Sequence, residues 1–221
     1  MTRAPDSRMN ESRIIKIDCN SPDKGLLGQA VATLEEGGLV VAPTETRYGL
    51  LARADQEKIL KKLFEVKQRS ITMPTSIFVR QVSDIANWGD LNAAALKLAR
   101  RYLPGPLTLV LKAVIPEQPG LVAGRKIGIR VSSSAVMQAI LEIADFPLSA
   151  TSANISGGPE LESVTDVIAL LGDRVDLYLD GGPLTAMPST VVDCSAGHPV
   201  ILRQGSIGAD EIKKVVSDGS V

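Results

Sequence analysis

The chain has 221 residues, of which 44% are hydrophobic and 22% are charged, and its formal net charge at pH 7 is -1. These proportions are typical of a globular protein and exclude a disordered chain. Apolar runs such as Leu39–Ala42 have the length of strands, which excludes a membrane-spanning helix. The small net charge gives no overall attraction to nucleic acid.

The chain starts with polar residues and carries no apolar segment of the signal-peptide type, so we expect a cytoplasmic protein. Residues 1–12 are predicted to be a flexible tail, and residues 13–221 a single domain. Cys19 and Cys194 lack metal-ligand spacing and are expected as free thiols, with a single disulfide as the alternative. One histidine, His198, argues against a histidine-based metal site or a Ser-His-Asp triad.

The first half of the chain alternates between strand and helix patterns. A helix is predicted after Ser21, which serves as its cap, with Pro22 at its first position and Gly37-Gly38 at its end. The other elements predicted in this half are the strands Arg13–Asp18, Leu39–Ala42 and Thr75–Val79 and the helix Gln56–Val66.

The second half repeats the alternation. Asp90 is predicted to cap a helix that runs to Tyr102 and is stopped by Pro104-Gly105-Pro106. Further helices are predicted over residues 133–144, 163–171 and 209–216, and strands over residues 107–111, 127–131, 147–151, 177–179, 190–193 and 200–202. The alternation predicts an α/β fold with helices packed on a large open sheet that is mixed or mainly parallel.

Polar loops follow several of these apolar strands, as ligand groups do in α/β proteins. The segment Pro43–Leu50 (PTETRYGL) follows a buried strand, and Ser149–Gly158 (SATSANISGG) concentrates small hydroxyl and amide groups after another strand. Small donors of this kind allow a nucleotide to approach the backbone closely. Each segment by itself also fits a solvated turn with polar side chains.

Four cations accompany these loops. Lys67 and Arg69 end a helix, where they either face the helix dipole or bind an anion. Arg130 lies in an apolar strand, where it either holds a carboxylate or forms a structural ion pair. Arg203 follows the last strand, and Ser189 precedes the strand of the segment Pro188–Asp193 (PSTVVD).

Taken together, these segments resemble the YrdC family of threonylcarbamoyl-AMP synthases. The family pattern has a PTET-YGL segment, K-x-R, PGP-T, an arginine strand, a SAN-SG loop, STVVD and LR-G, and all occur in this order between about Gly37 and Gly205. The resemblance implies a twisted mixed sheet with flanking helices around a large concave cavity. It also implies the synthesis of threonylcarbamoyl-AMP from L-threonine, bicarbonate and ATP, with release of pyrophosphate.

The resemblance assigns roles to ten residues. It places L-threonine against Thr44, Arg130, Ala150 and Ser189, and ATP against Lys67, Arg69, Lys126, Ser152, Asn154 and Arg203. Lys67 and Arg69 take the catalytic roles. No protein-bound metal is implied, because Mg²⁺ arrives on the ATP phosphates. A partner transferase then passes the threonylcarbamoyl group to adenosine in tRNA, so tRNA is an indirect partner.

Three departures from the family pattern concern the substrate more than the fold. Ser70 and Met73 stand where the family has a proline and a polar residue, and Ser132–Ser134 replace a proline and a His-Pro pair. Arg47 replaces a small apolar residue. A related enzyme that acts on another small acid is therefore one alternative. A non-catalytic RNA-binding module is a second, which the scarcity of aromatic residues and of basic charge disfavours.

Overall fold

The computed structural model describes residues 13–196 and 198–217, so the predicted tail 1–12 lies outside the described residues. Within them, ten strands form one sheet in the order β1-β8-β2-β3-β7-β4-β6-β5-β9-β10. The strands are β1 Ile14–Lys16, β2 Val40–Pro43, β3 Tyr48–Leu51, β4 Ser76–Phe78, β5 Leu107–Lys112, β6 Lys126–Arg130, β7 Leu148–Ser152, β8 Leu177–Asp180, β9 Thr190–Asp193 and β10 Val200–Arg203.

The sheet is mixed. Parallel pairs join β1 to β8, β8 to β2, β4 to β6 and β5 to β9. The other neighbours are antiparallel, including the hairpin of β2 and β3 and the two sides of β7. The predicted α/β fold with a large twisted mixed sheet and flanking helices is confirmed.

Six helices flank this sheet in the described part of the chain: α1 Lys24–Glu35, α2 Glu57–Val66, α3 Ala93–Tyr102, α4 Ala135–Ile143, α5 Val164–Leu171 and α6 Ala209–Ser217. Helices α1 and α4 pack on one face of the β8-β2-β3 region, and α2 and α5 pack on the opposite face. Helices α3 and α6 cover β5, β6 and β9. None of the helices in residues 13–196 and 198–217 combines the length and apolar character needed to cross a membrane.

The strands under α3 and α6 present two different faces, because successive side chains on a strand point in opposite directions. In β5 and β6, Leu109 and Ile129 enter the hydrophobic core, whereas their neighbours Thr108, Gly128 and Arg130 line a cavity on the other face. The alternating pattern therefore builds the core under the helices and the polar cavity from the same strands.

Several boundaries differ from the sequence prediction. Strand β3 was not predicted, because its sequence is short and continues directly from the polar PTET turn. Asp23, rather than Ser21, caps α1 by accepting hydrogen bonds from the next turn, and Asn92, rather than Asp90, caps α3. A 3-10 helix at Val82–Asn87 was also not predicted. At both caps, the side chain of the residue directly before the helix is close enough to accept hydrogen bonds from the backbone N–H groups of the first turn.

The hydroxyl of Thr190, at the start of β9, is buried and makes three backbone contacts. It donates to the Ile207 carbonyl at 2.9 Å and accepts from the backbone N–H groups of Gly205 at 3.1 Å and Ile207 at 3.0 Å. A Cβ on Gly205 would collide with backbone atoms of Pro188, Ser189 and Thr190. The chain after β10 is therefore held close to the chain before β9.

We expect Thr190→Val to lower the free energy of unfolding by about 3 kcal/mol, because it leaves three buried backbone groups without their partner. Urea denaturation measures this loss. The control is Thr33→Val, which removes a hydroxyl on the surface of α1 that donates to the Gln29 carbonyl, and which should change stability by no more than about 0.5 kcal/mol. Equal losses in the two variants would contradict a special role for Thr190.

Candidate functional site

A cavity of about 520 Å³ lies on the concave face of the sheet. Its walls come from β3 to β7, β9 and β10 and from the loops beside them. Among the described residues, five cations and two carboxylates line it: Arg47, Arg69, Lys126, Arg130 and Arg203, and Glu160 and Asp193. Although the whole chain is nearly neutral, this cavity carries an excess of positive charge, which suits an anionic ligand.

The turn between β2 and β3 is held together by Thr44. Its hydroxyl donates to the Arg47 carbonyl at 2.6 Å and accepts from the backbone N–H groups of Thr46 at 3.1 Å and Arg47 at 3.2 Å. A threonine side chain thereby completes the turn. Thr44 and Thr46 are buried in the turn and border the cavity.

Arg130, at the end of β6, forms the most buried ion pair of the cavity. Its Nη2 donates to Glu45 at 2.9 Å and to the Thr46 hydroxyl at 2.8 Å, and its guanidinium lies 5.7 Å from the centre of the Phe78 ring. The Arg130 side chain is 10% exposed, and its Nε is buried without a hydrogen-bond partner in the described structure. Arg130 therefore combines fixed orientation with a donor that is still unsatisfied.

Two of the three serines that replace the family's proline and His-Pro pair, Ser132 and Ser134, have structural partners. The hydroxyl of Ser132 donates to the second carboxylate oxygen of Glu45. Ser134 caps α4 by accepting a hydrogen bond from the Met137 N–H. This departure from the family pattern therefore supports Glu45, which in turn orients Arg130.

Ser189 and Arg203 meet on the opposite wall. Arg203 Nη2 donates to the Ser189 carbonyl at 3.0 Å and to its hydroxyl at 2.9 Å, and the same hydroxyl lies 3.0 Å from that of Thr108. Burial lowers the pKa of Arg203. Ser189, which is predicted to bind threonine, is thus in direct contact with Arg203, which is predicted to bind ATP.

Lys67 lies behind the cavity wall rather than on it. Its Nζ donates to the carbonyl oxygens of Ser152 at 2.5 Å and Asn154 at 2.9 Å and to Asn154 Oδ1 at 3.2 Å, and its own carbonyl accepts from the Ser156 N–H. Burial, and then repulsion from Arg69, lower the pKa of Lys67 to about 7. The amine ties the end of α2 to the SAN loop.

Arg69 faces the cavity and is held by the chain that follows it. Its Nε donates to the Met73 carbonyl at 2.8 Å, and its Nη2 donates to the Pro74 carbonyl at 2.7 Å. Burial lowers the pKa of Arg69. Met73 contributes only backbone here, since its side chain points outward and is largely exposed.

Lys126 forms an ion pair with Asp193 at the end of the cavity near β9. Its Nζ lies 2.8 Å from Asp193 Oδ2. Burial raises the pKa of Asp193, but hydrogen bonds from Lys126 and Ser195 outweigh it, and the net shift is downward. Across the described residues, no group of three or more His, Cys, Asp and Glu side chains lies close enough to hold a metal ion.

The structure brings most of the predicted site residues together. The cavity is lined by Thr44, Arg69, Lys126, Arg130, Ala150, Ser152, Ser189 and Arg203. The other two, Lys67 and Asn154, are buried and do not line it. Sequence reasoning did not select Glu45 as a partner of Arg130, nor Glu160 as a lining residue. The PTET motif contains Glu45, whereas nothing in the sequence around Glu160 marks it.

The fold and the cavity define an α/β protein with a cation-rich cavity on one face of a mixed sheet. The family model described as "Telomere recombination", which covers Sua5, YciO and YrdC, matches residues 32–205. The chain belongs to this Sua5/YciO/YrdC family.

Comparison with individual relatives agrees. The chain is 34% identical over 197 residues to threonylcarbamoyl-AMP synthase of Pyrococcus abyssi, with 86% of this chain and 56% of that protein aligned. The structure of P. abyssi Sua5 complexed with L-threonine has a TM-score of 0.84 at 33% identity and covers 92% of this chain and 61% of that one. Escherichia coli YciO has a TM-score of 0.83 at 27% identity and covers 90% of this chain and 98% of that one.

The chain thus spans little more than half the length of the Pyrococcus relative, but nearly the whole length of YciO.

We expect Lys67→Met to change the pH dependence of stability. Because the pKa of Lys67 in the folded state, about 7, is below its ordinary value of 10.5, the unfolded chain keeps a proton that the native chain loses between these values. This group makes the free energy of unfolding rise with pH in that window, by up to about 1.4 kcal/mol per pH unit.

The measurement is urea denaturation at intervals from pH 7 to 9. The difference between wild type and Lys67→Met should grow as the pH rises. Lys61→Met, at an exposed position on α2 that pairs with Glu57, is the control. Parallel pH profiles for wild type and Lys67→Met would show that the amine stays protonated, held by its three oxygen partners.

Proposed function

We propose that this chain forms threonylcarbamoyl-AMP from L-threonine, bicarbonate and ATP, with release of pyrophosphate, as a step in tRNA modification. The observation that carries the proposal is that one cavity contains both the residues expected to bind threonine and those expected to bind ATP. Arg130, Thr44 and Ser189 supply a cation and two hydroxyls, and Arg69, Ser152 and Arg203 supply the groups expected at a nucleotide. The names of the Pyrococcus relative and of its threonine complex support the choice of substrate.

The proposed reaction requires charge neutralisation and alignment more than proton transfer. The threonine amine and bicarbonate give a carbamate and water, and a carbamate oxygen then attacks the α-phosphorus of ATP. The bond from that phosphorus to the bridging oxygen of pyrophosphate breaks. Both reactants are anions, so fixed guanidinium groups lower the barrier by holding them together and in line.

Arg130 is suited to the threonine carboxylate. Its guanidinium is fixed by Glu45 and Thr46, and one buried donor is unsatisfied. The hydroxyls of Thr44 and Ser189 border the same cavity and can meet the threonine amine or hydroxyl. Arg69 and Arg203 face the nucleotide in this proposal.

We propose Lys67 as a positioning residue for Ser152 and Asn154, because its amine contacts that loop and not the cavity.

Mg²⁺ enters this proposal as part of the nucleotide substrate. Of the two carboxylates that line the cavity, Asp193 is paired with Lys126, and Glu160 lies between two arginines. Neither is a free oxygen ligand of the kind that Mg²⁺ prefers. ATP phosphates therefore remain the better ligands for the ion.

A related adenylate-forming enzyme with another small acid is the second candidate. The departures from the family pattern at Met73 and Ser132–Ser134 favour it. Selectivity for the methyl group of threonine depends on the cavity walls, where a single methyl contributes about 1–3 kcal/mol. Parallel assays with threonine, serine and other small amino acids separate the two candidates.

The deciding assay incubates the protein with ATP, Mg²⁺ and bicarbonate and measures pyrophosphate and the carbamoyl adenylate, with and without threonine. We expect release that depends on both threonine and bicarbonate. Release that depends instead on another small acid would establish the second candidate. A protein that binds RNA but neither binds ATP nor releases pyrophosphate would be the non-catalytic module.

We expect Arg130→Lys to raise the KM for threonine by about tenfold or more while the KM for ATP changes by less than about threefold. Lysine keeps a charge opposite Glu45 but loses the planar fork that holds a carboxylate, and a charged hydrogen bond contributes about 1.5–3 kcal/mol. The control is Arg53→Lys, which alters an arginine paired with Asp55 and stacked on Phe146 outside the cavity. An equal rise in both KM values would refute the assignment.

A further inference from the structure

A line of three charged residues crosses one wall of the cavity. Glu160 lies between Arg47 and Arg203, with its Oε2 3.5 Å from Arg47 Nε and its Oε1 3.7 Å from Arg203 Nη1. Both Glu160 Oε2 and Arg47 Nε are buried, and neither has a hydrogen-bond partner in the described structure. The carboxylate is therefore attracted by two cations but hydrogen-bonded to neither at that end.

Both arginines have better partners than Glu160. Arg47 donates to Glu162 at 2.9 Å and to the Leu184 carbonyl at 2.5 Å. Arg203 donates three times to the carbonyl and hydroxyl oxygens of Ser189. Arg47 has a second carboxylate partner in Glu162, whereas the Ser189 oxygens that hold Arg203 are neutral. Glu160 is therefore the carboxylate with which an incoming anion would compete at Arg203.

Glu160 places a negative charge in a cavity whose charged residues are mostly cations. This carboxylate faces the cavity from the loop after the SAN motif and lies beside Arg203. A negative charge at this point weakens the attraction of Arg203 for an incoming anion, and the effect increases with the charge of that anion.

We propose that Glu160 is a built-in competitor for Arg203 and determines how tightly the cavity holds phosphate chains. The ligands concerned are inorganic polyphosphates, including the pyrophosphate that the proposed reaction releases, and the phosphate chain of a nucleotide. The reaction class rests on the proposed function, whereas the competition for Arg203 rests on geometry alone. In that reaction, Glu160 favours the departure of pyrophosphate after the phosphorus–oxygen bond breaks.

The test compares Glu160→Gln with Glu162→Gln by calorimetric titration of the full chain with sodium pyrophosphate in EDTA. Both variants remove one negative charge from the same loop, and both residues lie against Arg47. Only Glu160 lines the cavity. Glutamine keeps the shape of the side chain, and a melting curve for each variant confirms that it is folded.

We expect Glu160→Gln to tighten pyrophosphate binding by about fivefold or more, because removing a negative charge beside the half-exposed guanidinium of Arg203 strengthens its attraction for an anion. Glu162→Gln should change the affinity by less than about twofold. Unchanged or weaker binding by Glu160→Gln, or equal tightening in both variants, would overturn the proposal. Absence of pyrophosphate binding at millimolar concentration in wild type and Glu160→Gln would do the same.

The titration does not depend on catalysis. If the chain releases no pyrophosphate with threonine but Glu160→Gln still tightens binding, the proposed reaction fails and the role of Glu160 stands. If the chain is active and Glu160→Gln leaves the affinity for pyrophosphate unchanged, the proposed reaction stands and the role of Glu160 fails.

Discussion

Each cation that faces the cavity is held by oxygen atoms of the protein itself, and the geometry of the site depends on this pairing. The partners are Glu45 for Arg130, Asp193 for Lys126, two carbonyls for Arg69, Ser189 for Arg203 and Glu162 for Arg47. A buried cation without such partners costs several kcal/mol. The same bonds fix the direction of each guanidinium, so the donors are oriented by the fold and need little rearrangement when an anion arrives.

Strand pairing brings the parts of the site together. In the register of the sheet, Ser76 of β4 lies opposite Gly128 of β6 on one side and Ala150 of β7 on the other. These three small residues lie side by side in the cavity wall, and the larger polar groups stand around them. A Cβ on Gly128 would collide with the Ser76 side chain, so the spacing of the strands requires glycine there.

Most strands and much of the cavity wall could be predicted from the sequence, because the motifs that contain the wall residues occur in the order known for the family. The apolar runs predicted most strands, and the motifs predicted eight residues of the cavity wall. Partners within the site could not be predicted in the same way. Glu45 meets Arg130, and Glu160 approaches Arg203, only because a curved sheet brings together loops far apart in the chain. Lys67 was expected at the nucleotide, and its burial behind the loop depends on packing that no local pattern encodes.

The close contact of Gly205 with the chain before β9 shows that a residue of a family motif can serve the packing of the fold. Gly205 belongs to the LR-G pattern of the family, and a side chain there would collide with the backbone of residues 188–190. Thr190, in the STVVD pattern, likewise serves only backbone groups. A substitution at either position would disturb the packing of the cavity wall, whatever reaction takes place there. Two chains that share these residues share a scaffold, and the residues by themselves do not identify a substrate.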